Sequence, residues 1–312
     1  MRDRLVAAIL AFLNEEDLLT VGDVRAALET EIDAAGPGAL LELKARLDAD
    51  LGWNYYPRDP LAQRIHHLLA DRFLQATSRV LGVEHLAALQ SGPVAIFGNH
   101  LSYADANVVE VLLQRSGGGG APLANRLTAI AGPKVFSSRQ RRFSSLCFGT
   151  IKVPQSTEVS SAEAVLSVRE VARAARQAID VAHARLDAGD ALLIFAEGTR
   201  TRTGGMQRFL PGVARYLKVP GIRILPVGLT GSEALFPVGT DRIQPAHMVM
   251  RIGRPIPADA LLDRGRGDRR LTMDAIGLAV AELLPPEYRG VYGNERSFAE
   301  ATRVLHQLNV HP

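Results

Sequence analysis

The chain has 312 residues, of which 47% are hydrophobic and 22% are charged, as in an ordinary globular protein. A formal net charge of +3 is too small to indicate a nucleic-acid partner. No apolar run approaches the roughly 20 residues of a membrane-spanning helix, and the N-terminus lacks the pattern of a signal peptide. The single Cys147 excludes an internal disulfide. We therefore expect a cytoplasmic protein whose contact with a membrane is at most peripheral.

Residues 1–90 show helical patterns only. Apolar residues recur at helical spacing from Leu5 to Leu13, and a longer helix is predicted from Leu61 to about Leu81. Gly36 and Pro37 interrupt the pattern between them. We predict a helical N-terminal domain over residues 1–90, and nothing in it indicates chemistry.

From residue 91 onward, short apolar runs alternate with helical stretches. The predicted strands are Val94–Phe97, Leu127–Ala131, Gly149–Val153, Ala191–Phe195, Ile222–Val227 and Met248–Ile252. The predicted helices are Asp105–Gln114, Ser161–Ala188, Pro211–Leu217, Thr272–Leu284 and a last one over Asn294–Leu308. Such alternation is typical of a mainly parallel sheet flanked by helices. We therefore predict an α/β domain over residues 91–312.

His100 and Asp105 lie where the first of these strands passes into a helix. Ligands bind at the carboxyl ends of the strands in such sheets. A histidine held in one tautomer by a carboxylate is a good general base for an alcohol at neutral pH. An alternative function of Asp105 is structural, because Ser102-x-x-Asp105 resembles a capping box; the two roles are compatible. His66 and Asp71 have the same spacing inside a predicted helix, where they face different sides, and we interpret that pair as chance.

A second motif, Phe195–Gly204, follows the strand that ends at Phe195. Its Arg200 and Arg202 can pair with phosphate oxygens through both prongs of the guanidinium group, and the glycines allow close approach of the backbone. Glu197 cannot bind phosphate, so it is expected to orient an arginine or to hold backbone donors. The alternative is an arginine-rich surface turn in which Glu197 is a salt-bridge partner.

Three segments in this order resemble the glycerolipid acyltransferase family, which includes lysophosphatidic acid and glycerol-3-phosphate acyltransferases. The segments are Asn99-His100-x4-Asp105, Phe195-x-Glu197-Gly198-Thr199-Arg200-x-Arg202-x-Gly204 and Pro226-Val227-Gly228. The resemblance covers about residues 90–290, and the N-terminal part resembles, more loosely, the helical domain of soluble plastid-type members.

The resemblance implies a glycerol-3-phosphate acyltransferase-like fold and direct acyl transfer. His100 would deprotonate the acceptor hydroxyl, Asp105 would orient His100, and backbone N–H groups would hold the oxyanion. Glu197, Gly198, Thr199, Arg200 and Arg202 are implied at the substrate site, with the two arginines on the acceptor phosphate. Neither a metal nor a cofactor is expected.

The resemblance also implies the substrates. The donor would be acyl-CoA or acyl carrier protein, and the acceptor a phosphorylated glycerolipid, with lysophosphatidic acid as the first choice. Glycerol 3-phosphate or another lyso-lipid or alcohol is the alternative acceptor. A non-catalytic module that binds lipid or acyl carrier protein is the alternative outside enzymes, and the intact motifs argue against it.

The chain departs from the family at two basic positions, one of which is a lysine that many members carry after the residue corresponding to Phe209. Members usually carry an arginine just after a strand between the first and the third motif, but the corresponding segment here, Gly149–Ser156, has none. Lys152 is the nearest cation and is our candidate for a substrate-binding residue.

Two segments are candidates for contact with a membrane surface. One is the N-terminal helix, where Arg2 and Arg4 lie beside apolar residues, and the other is the predicted loop Phe136–Phe143 with Arg139, Arg141 and Arg142. The alternatives are that the helix packs into the helical domain and that the loop is an ordinary solvated surface.

Overall fold

A computed structural model describes residues 1–13, 18–154, 167–237 and 243–309 of the chain. Nine strands of this described part form one sheet. They are β1 (Tyr55–Tyr56), β2 (Arg79–Leu81), β3 (Val94–Gly98), β4 (Leu127–Ala131), β5 (Gly149–Lys152), β6 (Ala191–Ile194), β7 (Arg223–Thr230), β8 (Val249–Ile252) and β9 (Ile256–Pro257). Their order in the sheet is β1-β5-β4-β6-β3-β7-β8-β2, and β9 pairs with β7.

The centre of the sheet is parallel. Strands β5, β4, β6, β3 and β7 run in one direction, and Ile96 of β3 lies between Leu193 of β6 and Leu225 of β7. Of the nine described strands, β1, β8 and β9 are those that pair in antiparallel fashion, with β5 or β7. The predicted α/β class with a mainly parallel sheet is confirmed.

Helices cover both faces of the sheet. They are α1 (Arg2–Leu13), α2 (Leu18–Asp48), α3 (Pro60–Phe73), α4 (Asp105–Arg115), α5 (Gly120–Asn125), α6 (Arg139–Ser145), α7 (Val168–Asp187), α8 (Ala258–Arg264), α9 (Arg269–Ala281) and α10 (Ala299–Asn309). Alternate residues of β3 point to opposite faces: Val94 and Ile96 pack with α1 to α5, whereas Ala95 and Phe97 pack with α7 to α10. The N-terminal helices therefore share one hydrophobic core with the sheet.

Helix α2 is broken at Gly36, whose φ of 80° lies outside the helical range. Pro37 follows, and a proline has no N–H to continue the hydrogen bonding of the preceding turn. Among the described residues, no helix combines the length and the apolar composition that crossing a bilayer requires.

The structure corrects several predicted elements. The helix predicted to reach Leu81 ends at Phe73, and Arg79–Leu81 forms β2, which pairs in parallel with β8. Strand β2 has only three residues, and both of its end residues are exposed. It therefore lacks the apolar run from which a strand is predicted. Residues 1–90 thus contribute two strands, β1 and β2, to the sheet, and the domain boundary at residue 90 stays a prediction.

Three further differences concern helices. The stretch predicted as a polar loop around Arg139 is helix α6, which Ser138 caps by accepting the N–H of Arg141 at 3.3 Å. Pro211–Leu217 is a 3-10 helix, and a 3-10 turn over Glu295–Phe298 precedes α10. Helix α7 begins at Val168; residues 161–166 of the predicted helix lie outside the described residues.

Candidate active site

The carboxyl ends of three neighbouring strands bring the site together. Strand β3 lies between β6 and β7, and all three are parallel. His100 follows β3, Glu197 follows β6, and Ser232 follows β7. Residues that are far apart in the chain therefore meet at one edge of the sheet, as predicted for the first two.

His100 and Asp105 form the predicted pair. The Nδ1 of His100 lies 2.8 Å from Oδ2 of Asp105, so the Nδ1–H donates to the carboxylate. The same oxygen accepts the backbone N–H groups of Leu101 and Ser102 at 2.7 and 2.9 Å. Asp105 thus has both roles proposed for it, because it orients His100 and also holds the turn that begins α4. The Nε2 of His100 has no hydrogen-bond partner in the described part of the chain and is free to take a proton.

Ser232 completes the environment of Asp105. Its hydroxyl donates to Oδ1 of Asp105 at 2.6 Å, and both side chains are fully buried. Asn99 holds the neighbouring strand end, because its side-chain amide donates to the carbonyl of Leu229 and accepts the N–H of the same residue, each at 2.8 Å. Ser232 was not predicted, because its signal in the sequence is only that of a polar residue just after a strand and a glycine.

Glu197 holds backbone donors, which is one of its two predicted tasks. Its Oε1 accepts the N–H of His100 and its Oε2 that of Gln207, each at 2.7 Å. Burial raises the pKa of this carboxyl group to about 7, although its two N–H donors act in the opposite direction. Glu197 does not line the cavity described below, so it supports the His100 turn rather than presenting a group to a ligand.

A cavity of about 2100 Å³ opens at His100. Its walls include apolar side chains from α1, α2 and α3, such as Phe12, Leu43 and Leu69, as well as residues of α4 and α6. This volume is larger than the 300–1,000 Å³ typical, roughly, of small-molecule pockets. The N-terminal helices, for which no chemical role was predicted, therefore form an apolar wall of the site.

The aromatic ring of Phe195 supports the imidazole. The two rings are stacked, with their centres 4.6 Å apart and an angle of 17° between their planes. Phe195 was recognised as the start of the second motif, but its contact with His100 was not predicted, because 95 positions of sequence separate the two residues.

Four of the predicted substrate-binding residues line the cavity: Gly198, Thr199, Arg200 and Arg202. Gly198 has a φ of 76°, and a β-carbon there would lie 2.7 Å from Leu210, so the turn requires glycine. Arg200 is half-buried, and its guanidinium carbon lies 4.2 Å from the centre of the Tyr103 ring. Arg202 is exposed at the cavity edge.

The structure does not bring Lys152 to these residues. Its Nζ lies 3.8 Å from Asp50 and contacts the rings of Trp53 and Phe136, at 5.2 and 5.3 Å from their centres. Lys152 does not line the cavity, and as a strand residue its side chain points to other partners. Its role in substrate binding stays a prediction, without support from this placement.

The second histidine–aspartate pair is accidental, as predicted. The Nε2 of His66 lies 3.2 Å from the carbonyl of Asn107 and 3.6 Å from Glu110, whereas Asp71 pairs with Arg115. Burial lowers the pKa of His66 to about 4, so this imidazole is neutral at neutral pH.

Two of the three arginines of α6 attach this helix to α2. Arg139 forms an ion pair with Asp48, and Arg142 donates to the backbone carbonyls of Ala49 and Arg46. Helix α1 buries Val6, Ile9 and Leu13 in the hydrophobic core. This agrees with the alternative prediction that the helix packs into the helical domain. Membrane contact through either segment stays a prediction.

The class of the protein follows from a family match. A family model described as Acyltransferase matches residues 78–230, about half of the chain, and this range contains all three motif segments. The chain belongs to the acyltransferase family, and the resemblance predicted from its motifs is confirmed.

Two named proteins are similar to this chain. A 1-acyl-sn-glycerol-3-phosphate acyltransferase from Chlamydomonas reinhardtii is 29% identical over 103 residues, which are 33% of this chain and only 29% of that relative's length. Among solved structures, the 1-acyl-sn-glycerophosphate (LPA) acyltransferase PlsC from Thermotoga maritima is similar over 91% of this chain and 98% of its own, with 17% identity and a TM-score of 0.49.

Proposed function

We propose that the protein transfers an acyl group from an acyl thioester, acyl-CoA or acyl carrier protein, to the hydroxyl of a 1-acylglycerol 3-phosphate. The observation that carries this proposal is the His100–Asp105 pair, whose free Nε2 opens on a large cavity with apolar walls and basic groups at its edge. The name of the Chlamydomonas relative supports the choice of acceptor.

The chemistry needs no covalent enzyme intermediate. His100 Nε2 takes the proton of the acceptor hydroxyl while its oxygen attacks the thioester carbonyl carbon, and Asp105 stabilises the imidazolium that forms. When the tetrahedral intermediate collapses, the carbon–sulfur bond breaks and the imidazolium returns the proton to the leaving thiolate. Asp105 is well suited to this role, because three donors besides His100 fix its two oxygens.

The apolar wall formed by α1, α2 and α3 can shield two acyl chains from water. Both the donor and the acceptor carry hydrocarbon that is costly to expose to water, at about 25 cal/mol for each Å² of apolar surface. Arg200 and Arg202 also line this cavity, and guanidinium groups can pair with the phosphate of an acceptor.

An acceptor panel tests the proposal. With one acyl-CoA, and separately with acyl carrier protein, turnover is measured on lysophosphatidic acid, glycerol 3-phosphate and an unphosphorylated alcohol. We expect transfer to lysophosphatidic acid, its loss in His100→Ala, and a decrease of about 10²–10⁴-fold in Asp105→Asn. The control His85→Ala changes a histidine outside the cavity and should retain full activity. Near-native turnover by His100→Ala would refute the proposed base.

Peripheral attachment to a membrane surface is part of the same proposal, because the lipid acceptor resides in a bilayer. Cations at the cavity edge favour anionic lipid, by about 1 kcal/mol for each one that reaches the surface. Co-sedimentation with vesicles that contain or lack anionic lipid measures this, and equal sedimentation with both would contradict an electrostatic contribution.

A further inference from the structure

Two arginines from separate elements contact one exposed tyrosine. Tyr103 lies three residues after His100, and 51% of its surface is exposed, although it is a large aromatic residue. The guanidinium carbon of Arg200 lies 4.2 Å from the ring centre and that of Arg141, from α6, lies 5.5 Å from it. The two guanidinium groups are therefore no more than about 10 Å apart. All three residues line the cavity at His100.

Neither arginine has an acidic partner. In the part of the chain that the structure describes, no carboxylate forms an ion pair with Arg141 or Arg200, whereas Arg139 on the same helix is paired with Asp48. Within the described residues, the guanidinium group of Arg141 makes only two hydrogen bonds, both long: 3.3 Å to the carbonyl of Lys134 and 3.4 Å to the hydroxyl of Ser137. Two like charges that are held together without a counter-charge repel each other, and an anion between them removes the repulsion.

The backbone of α6 at Arg141 is held in place before any ligand arrives. Its own N–H donates to Ser138, which caps α6, and Arg139 and Arg142 on either side bind the end of α2. The ring of Tyr103 in turn limits where both guanidinium groups can lie. A ligand that binds to both arginines therefore loses little conformational entropy in ordering them, which favours tight binding.

We propose that Arg141 and Arg200, on the shared ring of Tyr103, bind the phosphate monoester of the acceptor. Arg141 thereby takes the place of Arg202 as the second arginine on this group, because both side chains are exposed but only Arg141 contacts the Tyr103 ring. Two guanidinium groups can offer paired N–H donors to the oxygens of one dianionic phosphate. The inference rests on the proposed function and adds to it a residue that the sequence motifs do not include.

Binding measurements test the proposed phosphate site independently of catalytic turnover. Calorimetric titration of the full chain with inorganic phosphate, glycerol 3-phosphate and lysophosphatidic acid separates a site for free phosphate from one for a lipid headgroup. We expect Arg141→Gln to weaken the binding of both phosphate esters by about 10- to 100-fold, the loss of one charge-assisted hydrogen-bond pair. Arg141→Lys, which keeps the charge but not the fork, should lie between Gln and the wild type.

Arg176→Gln is the matched control, since it removes an exposed arginine of α7 that does not line the cavity. Its affinity for the phosphate esters should stay within about twofold of the wild type. Unchanged affinity in Arg141→Gln would overturn the proposal, and so would a KM that rises for the acyl donor but not for the acceptor. If phosphate esters bind through Arg141 but no acyl transfer occurs, the phosphate site stands and the proposed function fails.

Discussion

Asp105 is the residue on which the local structure of the site depends. Its two oxygens receive four donors: the imidazole of His100, two backbone N–H groups and the hydroxyl of Ser232. A buried carboxylate is costly unless its oxygens are satisfied in this way. The hydroxyl of Ser232 is the only one of the four that a side-chain substitution removes without touching His100 or the backbone of the α4 turn.

We predict that Ser232→Ala lowers kcat by about 10- to 100-fold, because a hydrogen bond to a charged group contributes about 1.5–3 kcal/mol. The KM values for both substrates should change little, since Ser232 orients Asp105 and does not line the cavity. Steady-state kinetics with each substrate varied in turn measures both quantities.

Thr230→Val is the control for that experiment. Its hydroxyl lies two residues earlier and donates to the carbonyl of Val249 at 3.5 Å, away from Asp105. A decrease in kcat of the same size in both variants would show that the end of β7, and not the bond to Asp105, determines the rate.

The site also shows what a sequence can and cannot predict. His100 and Asp105 are five residues apart, so their meeting follows from one strand-to-helix turn. Ser232 approaches Asp105 across 127 positions, and Arg141 reaches Tyr103 from a helix that was predicted as a loop. Such contacts depend on the order of strands in the sheet and on tertiary packing, for which a single sequence carries no spacing signal.

At the scale of elements, buried strands were predictable and edge strands were not. Leu127–Ala131 was predicted with the observed limits, and Val94–Phe97 differs from β3 by one residue, because central parallel strands are continuous apolar runs. Strands β1 and β2 have two and three residues and lie at the two ends of the sheet. Their pairing comes from their neighbours and not from their own composition.

The break in α2 offers a second prediction. Gly36 has φ 80° and ψ 167°, a conformation that is essentially restricted to glycine. Gly36→Ala should therefore lower the free energy of unfolding by about 1–3 kcal/mol. Because no atom lies within 4 Å of a β-carbon at this position, the loss would arise from the backbone alone. Chemical denaturation of the wild type and the variant measures it.

Gly38 provides the matched comparison two residues later. It also has open space around a β-carbon but an ordinary φ. Gly38→Ala should stabilise the protein by about 0.4–1 kcal/mol, since alanine restricts the unfolded chain. Equal effects of the two substitutions would show that the break does not depend on the backbone angle of Gly36.

For the whole molecule, Glu197 predicts a dependence of stability on pH. Its pKa is about 7 in the folded protein, compared with 4.5 for an unperturbed glutamate. Between pH 4.5 and pH 7, the folded protein therefore retains a proton that the unfolded chain has released. The contribution of this proton to stability is complete below about pH 4.5 and is lost as the pH rises through about 7. Over that range the free energy of unfolding should fall by about 3 kcal/mol.

Glu197→Gln removes this titration, so its stability relative to the wild type should rise between pH 5 and pH 8. Denaturation of both proteins at the two pH values measures the difference. An unchanged stability difference between the two pH values would mean that the two backbone donors keep Glu197 ionised in spite of its burial.

The pairing of β2 with β8 has a consequence for how the protein is made. Arg79 of β2 lies opposite Val249 of β8. The hydroxyl of Ser78 accepts a hydrogen bond from the N–H of Met248, which is 170 positions later in the chain. A ribosome that adds about 5–20 residues per second needs roughly 10–30 s to synthesise that interval. During this time the nascent β2 has no strand to pair with, and the wall of the cavity formed by α1 to α3 has no completed sheet to pack on. Strand β2 therefore leaves the ribosome well before β8 and reaches its native pairing only after β8 has been made.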